Sequence, residues 1–144
     1  MRTITEIILH CTATPEGREV SRATIRQWHI ARGFNDIGYH YLIHLDGTVE
    51  QGRPIETIGA HCQGHNAHSI GIAYIGGTDS TGKPKDTRTN AQKAALILLL
   101  QQLKQQYPQA TIHGHQEYAS KACPSFNVQK WLNETTILEH LKNH

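Results

Sequence analysis

Near its start, at residues 4–11, the chain reads ITEIILHC, and the prediction of the fold begins from this stretch. The run from Ile4 to Leu9 is short, apolar and rich in β-branched residues, which is the pattern of a buried strand. His10 follows directly, so the strand delivers an imidazole to its own end, where functional side chains are often found. The sequence therefore predicts a buried first strand that ends in a candidate site residue.

Helix and strand signals then follow one another along the chain. Ser21 can cap a helix that runs to about Arg32, where Gly33 ends it. Thr89 opens a second helix, with Gln92 as its capping-box partner. Further strands are predicted over 39–45, 49–51, 69–75 and 110–113, with a hairpin turn at 46–47, loops over 12–20 and 78–88, and short closing helices over 128–132 and 137–141. This order favours an α/β fold, with a central mixed sheet flanked by helices in a single domain over residues 1–144.

Composition excludes several classes of protein. The formal charge of +2 on 144 residues gives no electrostatic case for nucleic acid. Cys11, Cys62 and Cys123 are an odd number of cysteines, which argues against a disulfide framework and predicts free thiols at Cys11 and Cys62. The longest apolar run covers only residues 94–100, and no signal peptide is recognisable. We therefore expect a protein without a membrane span, made in the cytoplasm.

Three separated patches of the sequence contain the candidate metal ligands and catalytic residues. They are His10-Cys11, Gly38-Tyr39-His40, and the segment from His115 to Cys123. Imidazole and thiolate are ligands that zinc prefers, and three protein ligands would leave a position for water, as in hydrolytic zinc sites. Taken alone, His10 is also compatible with a polar strand end and Cys123 with a buried thiol. His113 is a rival ligand, because on a strand it would face the same way as His115.

The order of short motifs resembles that of the zinc-dependent N-acetylmuramoyl-L-alanine amidases, which share a fold with peptidoglycan recognition proteins. The resemblance extends over residues 7–132 and comes closest to the small phage lysozymes that act as amidases. The matching motifs are ILHCTAT (8–14), IRQWH (25–29), GYHY (38–41), DGTVE (46–50), GR (52–53), GAH (59–61), HSIGI (68–72) and KACPSF (121–126).

The resemblance implies a set of roles. The zinc ligands fall on His10, His115 and Cys123, with the alignment from Cys123 favouring His115 over His113. Catalytic roles fall on Tyr39 and Lys121, and His61 matches a pocket histidine that would bind substrate. Lys121 would stabilise the developing oxyanion, and Tyr39 would hydrogen-bond the water or the tetrahedral intermediate.

The function implied is a Zn²⁺ peptidoglycan hydrolase that cuts the amide between N-acetylmuramic acid and L-alanine of the stem peptide. A phage or prophage endolysin, acting on the wall after release, fits this function, and a secreted amidase effector is the alternative. A non-catalytic peptidoglycan-binding module is a second alternative, but such relatives lose the cysteine that Cys123 supplies here. RNA polymerase binding, which one phage branch performs through a longer N-terminal tail, is not expected, because only nine residues precede His10. We expect a monomer whose partner is bacterial peptidoglycan.

Overall fold

The structure, a computed structural model, describes residues 2–134 and 141–143. Helices separate groups of one to four strands along the chain, and the short 3₁₀ turns Asn66–His68 and His115–Glu117 lead into or out of strands. The elements are β1 (Glu6–Cys11), β2 (Thr14–Pro15), α1 (Arg22–Ala31), β3 (Tyr41–Ile43), β4 (Val49–Gln51), β5 (Ser69–Tyr74), β6 (Gly77–Thr78), α2 (Asn90–Gln106), β7 (Thr111–Gly114) and α3 (Val128–Leu132).

The central sheet has five strands in the order β4-β3-β5-β1-β7. Strands β3, β5, β1 and β7 run parallel, and only β4 is antiparallel, as the partner of β3 in a hairpin. Glu6 of β1 lies in register with Ser69 of β5 on one side and with Thr111 of β7 on the other. The first strand is therefore buried between two parallel neighbours, and the carboxyl ends of these three strands lie at one edge of the sheet.

Apolar side chains fill both faces of this sheet. On one face, Ile7 and Leu9 of β1 belong to a cluster that includes buried leucines of α2 and Leu132 of α3. On the other face, Ile25 of α1 packs in a smaller cluster that includes Leu42 of β3 and Ala73 of β5. Helices cover both faces, so the predicted α/β class with a mixed sheet is confirmed.

The predicted helix caps are present. The Ser21 side chain accepts a hydrogen bond from the Thr24 backbone N–H at 3.1 Å. Thr89 and Gln92 form a capping box in which each side chain accepts from the other residue's backbone N–H. These contacts satisfy N–H groups that have no partner within the first turn of a helix, which explains where α1 and α2 begin.

Some local predictions differ from the structure. The strand predicted over 39–45 is reduced to Tyr41–Ile43. The loop predicted over 12–20 contains β2, and the loop predicted from residue 78 begins within β6; these two strands pair in parallel as a separate two-stranded sheet. The helix predicted over 137–141 lies mostly outside the described residues. Within the described part of the chain, none of the helices combines the length and apolar character needed to cross a membrane.

Candidate metal and catalytic site

Two of the predicted ligands meet at the carboxyl edge of the sheet. His10 lies one residue before the end of β1, and His115 follows directly after β7. Because β1 and β7 are parallel neighbours, their carboxyl ends bring the two imidazoles together, with ring centroids 4.7 Å apart. Ligand sites of parallel α/β sheets characteristically form at this edge.

Cys123 joins the pair from the loop that precedes α3. Its Sγ lies 3.7 Å from Nδ1 of His10 and accepts a hydrogen bond from the backbone N–H of Cys11 at 3.2 Å. The ligand atoms of His10, His115 and Cys123 all lie within 4.8 Å of one another. Donor atoms around a tetrahedral zinc lie about 3.3–3.8 Å apart for bonds of about 2.0–2.3 Å, so the trio fits zinc after side-chain adjustments of about 1 Å.

The Nε2 atom of His10 contacts a second histidine, His61. Nε2 of His10 lies 2.8 Å from Nδ1 of His61, and Nε2 of His61 lies 3.1 Å from Oγ of Ser69. His10 is 2% exposed and His61 is 8% exposed, so water contributes little to either ring. Nδ1 of His10, on the side of Cys123, is therefore the nitrogen that remains for a metal.

Burial keeps the imidazoles of this site neutral. Burial lowers the pKa of His10 well below its usual value, and the pKa of His61 falls to about 3 for the same reason. The pKa of His115 is lowered as well, first by burial and then by the positive charge of Lys121. Since a metal ligand must offer a lone pair, these unprotonated rings are prepared to bind a cation.

Tyr39 reaches the site from the connection between α1 and β3. Its ring centroid is 5.3 Å from that of His10 and 5.2 Å from that of His29. Nδ1 of His29 accepts a hydrogen bond from the backbone N–H of Gly38 at 2.8 Å, which holds the segment before Tyr39. A Cβ on Gly38 would lie 2.1 Å from the carbonyl oxygen of Ala60, so the close approach requires glycine. Burial raises the pKa of Tyr39, so its hydroxyl keeps its proton.

All of the site residues predicted from the sequence line one cavity of about 700 Å³. The ligand trio lies among buried or half-buried residues of this cavity, whereas Lys121 is exposed. Arg32 and Phe34 also line the cavity, with the guanidinium 5.1 Å from the ring centroid. The cavity thus combines a candidate metal site with an exposed cation and has room for an extended substrate. The residues brought together are His10, Tyr39, His61, His115, Lys121 and Cys123.

His113 lies away from the ligand trio. Strand β7 ends at Gly114 and a 3₁₀ turn begins at His115, so the expected alternation does not extend from His113 to His115. Nδ1 of His113 contacts Glu117 at 2.8 Å and Nε2 contacts Thr111 at 2.7 Å. The expectation that the two histidines face the same way is therefore wrong, and His113 contacts Glu117 instead.

Two residues that support the site were not singled out from the sequence. Ser69 contacts His61, and His29 holds Gly38 next to Tyr39. Both lie within motifs of the resemblance, but each contacts a residue of a different motif, eight or nine positions away, and no local pattern indicates that contact. The predicted free thiols are confirmed, since Cys11 and Cys62 are both buried and unpaired.

Known proteins resemble this chain in both sequence and structure. The model of the N-acetylmuramoyl-L-alanine amidase family matches residues 1–126. An endolysin of Klebsiella phage KP32 is 43% identical over 137 residues, covering 94% of this chain and 91% of the phage protein. A peptidoglycan-recognition protein of Drosophila melanogaster is 35% identical over 136 residues, covering 88% of this chain and 74% of the insect protein.

A solved structure agrees with these similarities. The N-acetylmuramoyl-L-alanine amidase LysC from Clostridium intestinale superposes with a TM-score of 0.77 at 30% identity, covering 88% of this chain and 79% of LysC. The family model and the phage relative each extend over most of the chain, and the residues that the family model matches include the three candidate ligands His10, His115 and Cys123. With the metal-site geometry at the strand ends, this match shows that the chain belongs to the N-acetylmuramoyl-L-alanine amidase family.

Proposed function

We propose that this amidase cuts the bond between N-acetylmuramic acid and L-alanine with a zinc ion held by His10, His115 and Cys123. The observation that carries the proposal is the convergence of two imidazoles and one thiol within 4.8 Å, at the strand ends and in a large cavity. A zinc ion bound there would supply Lewis acidity and lower the pKa of a water ligand towards roughly 7.

Lys121 and Tyr39 act on the substrate amide in this proposal. Lys121 is an exposed cation at the cavity, close enough for its charge to lower the pKa of His10 and His115. A fixed positive charge stabilises the negative charge that develops on the carbonyl oxygen during attack. Tyr39 keeps its proton because burial raises its pKa, so its hydroxyl can donate a hydrogen bond to the same developing charge.

The thiol of Cys123 favours catalysis over binding alone. A protein that only recognises peptidoglycan has no need of a third metal ligand, yet Cys123 faces His10 and is held by the Cys11 N–H. Any contact between His61 and substrate has to come from its ring carbons, because both of its nitrogens already contact protein groups.

The proposed partner is bacterial peptidoglycan, and the proposed assembly is a single chain. Every proposed ligand and catalytic residue lies in the same cavity of one chain, so a second copy is not needed to complete the site. We further propose that the protein is made in the cytoplasm and acts on the wall after release. The phage endolysin that it resembles supports this assignment.

Product analysis of digested cell walls tests the proposal. Purified sacculi treated with the protein should release stem peptides that carry new L-alanine amino termini. Zinc chelation should stop the release, and added zinc should restore it. New reducing sugar ends without new amino groups would identify a glycosidase and would contradict the proposed bond.

A further inference from the structure

The structure places a buried histidine directly behind a proposed zinc ligand. His61 Nδ1 lies 2.8 Å from His10 Nε2, and the two rings meet edge to face with centroids 4.8 Å apart. The far nitrogen of His61 continues to Ser69 Oγ at 3.1 Å. His10, His61 and Ser69 therefore form one hydrogen-bonded chain that leads from the cavity into β5.

The surroundings hold His61 in one orientation. A Cβ on Gly71 would lie 2.6 Å from Cγ of His61, and a Cβ on Gly59 would lie 2.8 Å from its Cδ2. The two glycines thus leave a slot that the imidazole fills. Asn66 Oδ1 also accepts hydrogen bonds from the backbone N–H groups of His61 and Cys62, both at 2.9 Å. Both the ring and its backbone are fixed.

A zinc ion held by the proposed ligands would set the direction of the hydrogen bonds in this chain. Nδ1 of His10 faces Cys123, so this nitrogen would offer its lone pair to the metal. Nε2 of His10 would then carry the proton and donate it towards Nδ1 of His61. His61 would in turn carry its proton on Nε2 and donate it to Ser69 Oγ. A histidine bound to a metal commonly donates its other N–H to a neighbouring acceptor, which fixes its tautomer and orientation.

The acceptor here is an imidazole, although carboxylates commonly serve this purpose at zinc sites. The contact between His61 Nε2 and Ser69 Oγ leaves Nδ1 as the nitrogen of His61 that faces His10.

We infer that His61 is a positioning residue for zinc: it accepts the Nε2–H of His10 and thereby holds Nδ1 of His10 towards the metal. The inference rests on the zinc ligation proposed above and extends it by one residue. It assigns the buried ring a role that does not require contact with substrate. Ser69 in turn holds His61 in place through its contact with His61 Nε2.

Two substitutions of matched size separate this role from simple packing. His61→Leu fills the slot but accepts no hydrogen bond, whereas the side-chain oxygen introduced by His61→Asn can take the place of Nδ1. Zinc affinity is measured by competition with a chromogenic chelator, without substrate. We expect His61→Leu to weaken zinc binding about 10- to 100-fold and His61→Asn to restore much of the loss. His68→Leu, at an exposed histidine outside the cavity, is the control and should bind zinc normally.

The tautomer of His10 provides a second readout in the unmodified protein. Long-range proton–nitrogen correlation spectra of the zinc-loaded chain should show His10 protonated on Nε2 and bound to the metal through Nδ1. Zinc on Nε2 would overturn the inference even if the His61 variants failed to fold. Unchanged zinc affinity in His61→Leu, with only a raised Michaelis constant, would also overturn it and would make His61 a substrate contact. If the wild-type protein bound no zinc, that result would instead contradict the proposed function on which the inference rests.

Discussion

Two groups of histidines in this molecule differ in what surrounds them. In the strand-end group, the imidazoles are buried together and contact one another or Cys123. In the paired group, each imidazole contacts a carboxylate at 2.7–2.9 Å. The strand-end group is His10, His61 and His115, and the paired group is His44, His65 and His113.

The difference in surroundings shows how histidine can serve either as a neutral ligand or as a partner of a carboxylate. Burial without an acid lowers the pKa of His10 and His61, so these rings keep a lone pair for a metal or a hydrogen-bond donor. Burial alone would also lower the pKa of His44, but hydrogen bonds to Glu19 and Glu50 raise it instead. The carboxylates beside His44 therefore favour a proton on that ring, whereas His10 and His61 contact an imidazole, a thiol or a hydroxyl and favour the neutral form that can bind a metal or accept a hydrogen bond.

The largest expected effect is the loss of zinc when the strand-end site loses its thiol. Cys123→Ser keeps the size of the side chain but replaces a thiolate with a poor zinc ligand. We expect zinc content to fall from about one per chain to a small fraction of that value, as measured by elemental analysis after dialysis. His113→Asn, in the paired group, is the matched control and should keep its zinc. Full occupancy in Cys123→Ser, or loss in His113→Asn, would show that the ligand set is wrong.

Removal of the Lys121 cation should have the next largest effect, on turnover rather than on metal binding. Lys121 is not a proposed ligand, and it is exposed at the cavity, so Lys121→Ala should fold and bind zinc. Loss of a group that stabilises an oxyanion typically costs about 100- to 1,000-fold in turnover, and we expect kcat to fall in this range. Steady-state kinetics on soluble muropeptides measure the effect. Normal kcat with a raised KM would make Lys121 a uniform binding contact instead.

The hydroxyl of Tyr39 should contribute less than the lysine. Tyr39→Phe removes one oxygen and leaves the ring that packs against His10 and His29. We expect turnover to fall with zinc retained, but by a smaller factor than in Lys121→Ala, because a water molecule can take the place of the hydroxyl. The same kinetic assay, together with zinc analysis, measures both quantities. Unchanged kcat would remove Tyr39 from the catalytic residues.

The smallest expected effect belongs to the paired group and concerns stability. The raised pKa of His44 means that its ion pairs with Glu19 and Glu50 stabilise the fold below the unfolded-state pKa of about 6.5. This contribution is lost as the pH rises through the folded-state pKa. His44→Gln should therefore cost about 0.5 kcal/mol near pH 5.5 and less near pH 9, as measured by urea unfolding. A cost that grows with pH would contradict the pairing.

Much of the fold was predictable from local sequence. The apolar run before His10 and the caps at Ser21 and Thr89 depend on residues that are neighbours along the chain, and the structure confirms them. The small β2-β6 sheet was not predicted. Its strands contain two residues each, and their pairing is determined by contacts between distant segments rather than by a local pattern.

The site was predictable where motifs preserve the order of its residues, but its internal geometry was not. The contact between His10 and His61 joins residues 51 positions apart, and no periodic pattern indicates which nitrogen faces which. The divergence of His113 from His115 depends on the strand ending at Gly114, and strand ends are poorly determined by sequence alone. The ring orientations therefore had to come from the structure.

Metal reconstitution tests whether a single zinc ion at the strand-end site is required for amide cleavage. The protein is stripped of metal with a chelator, and zinc is then titrated back while the release of L-alanine amino termini from sacculi is followed. We expect activity to disappear on stripping and to rise linearly until about one zinc per chain has been added, with no further rise beyond it. Full activity in the stripped protein, or a rise that requires several zinc ions per chain, would contradict a single zinc at the strand-end site.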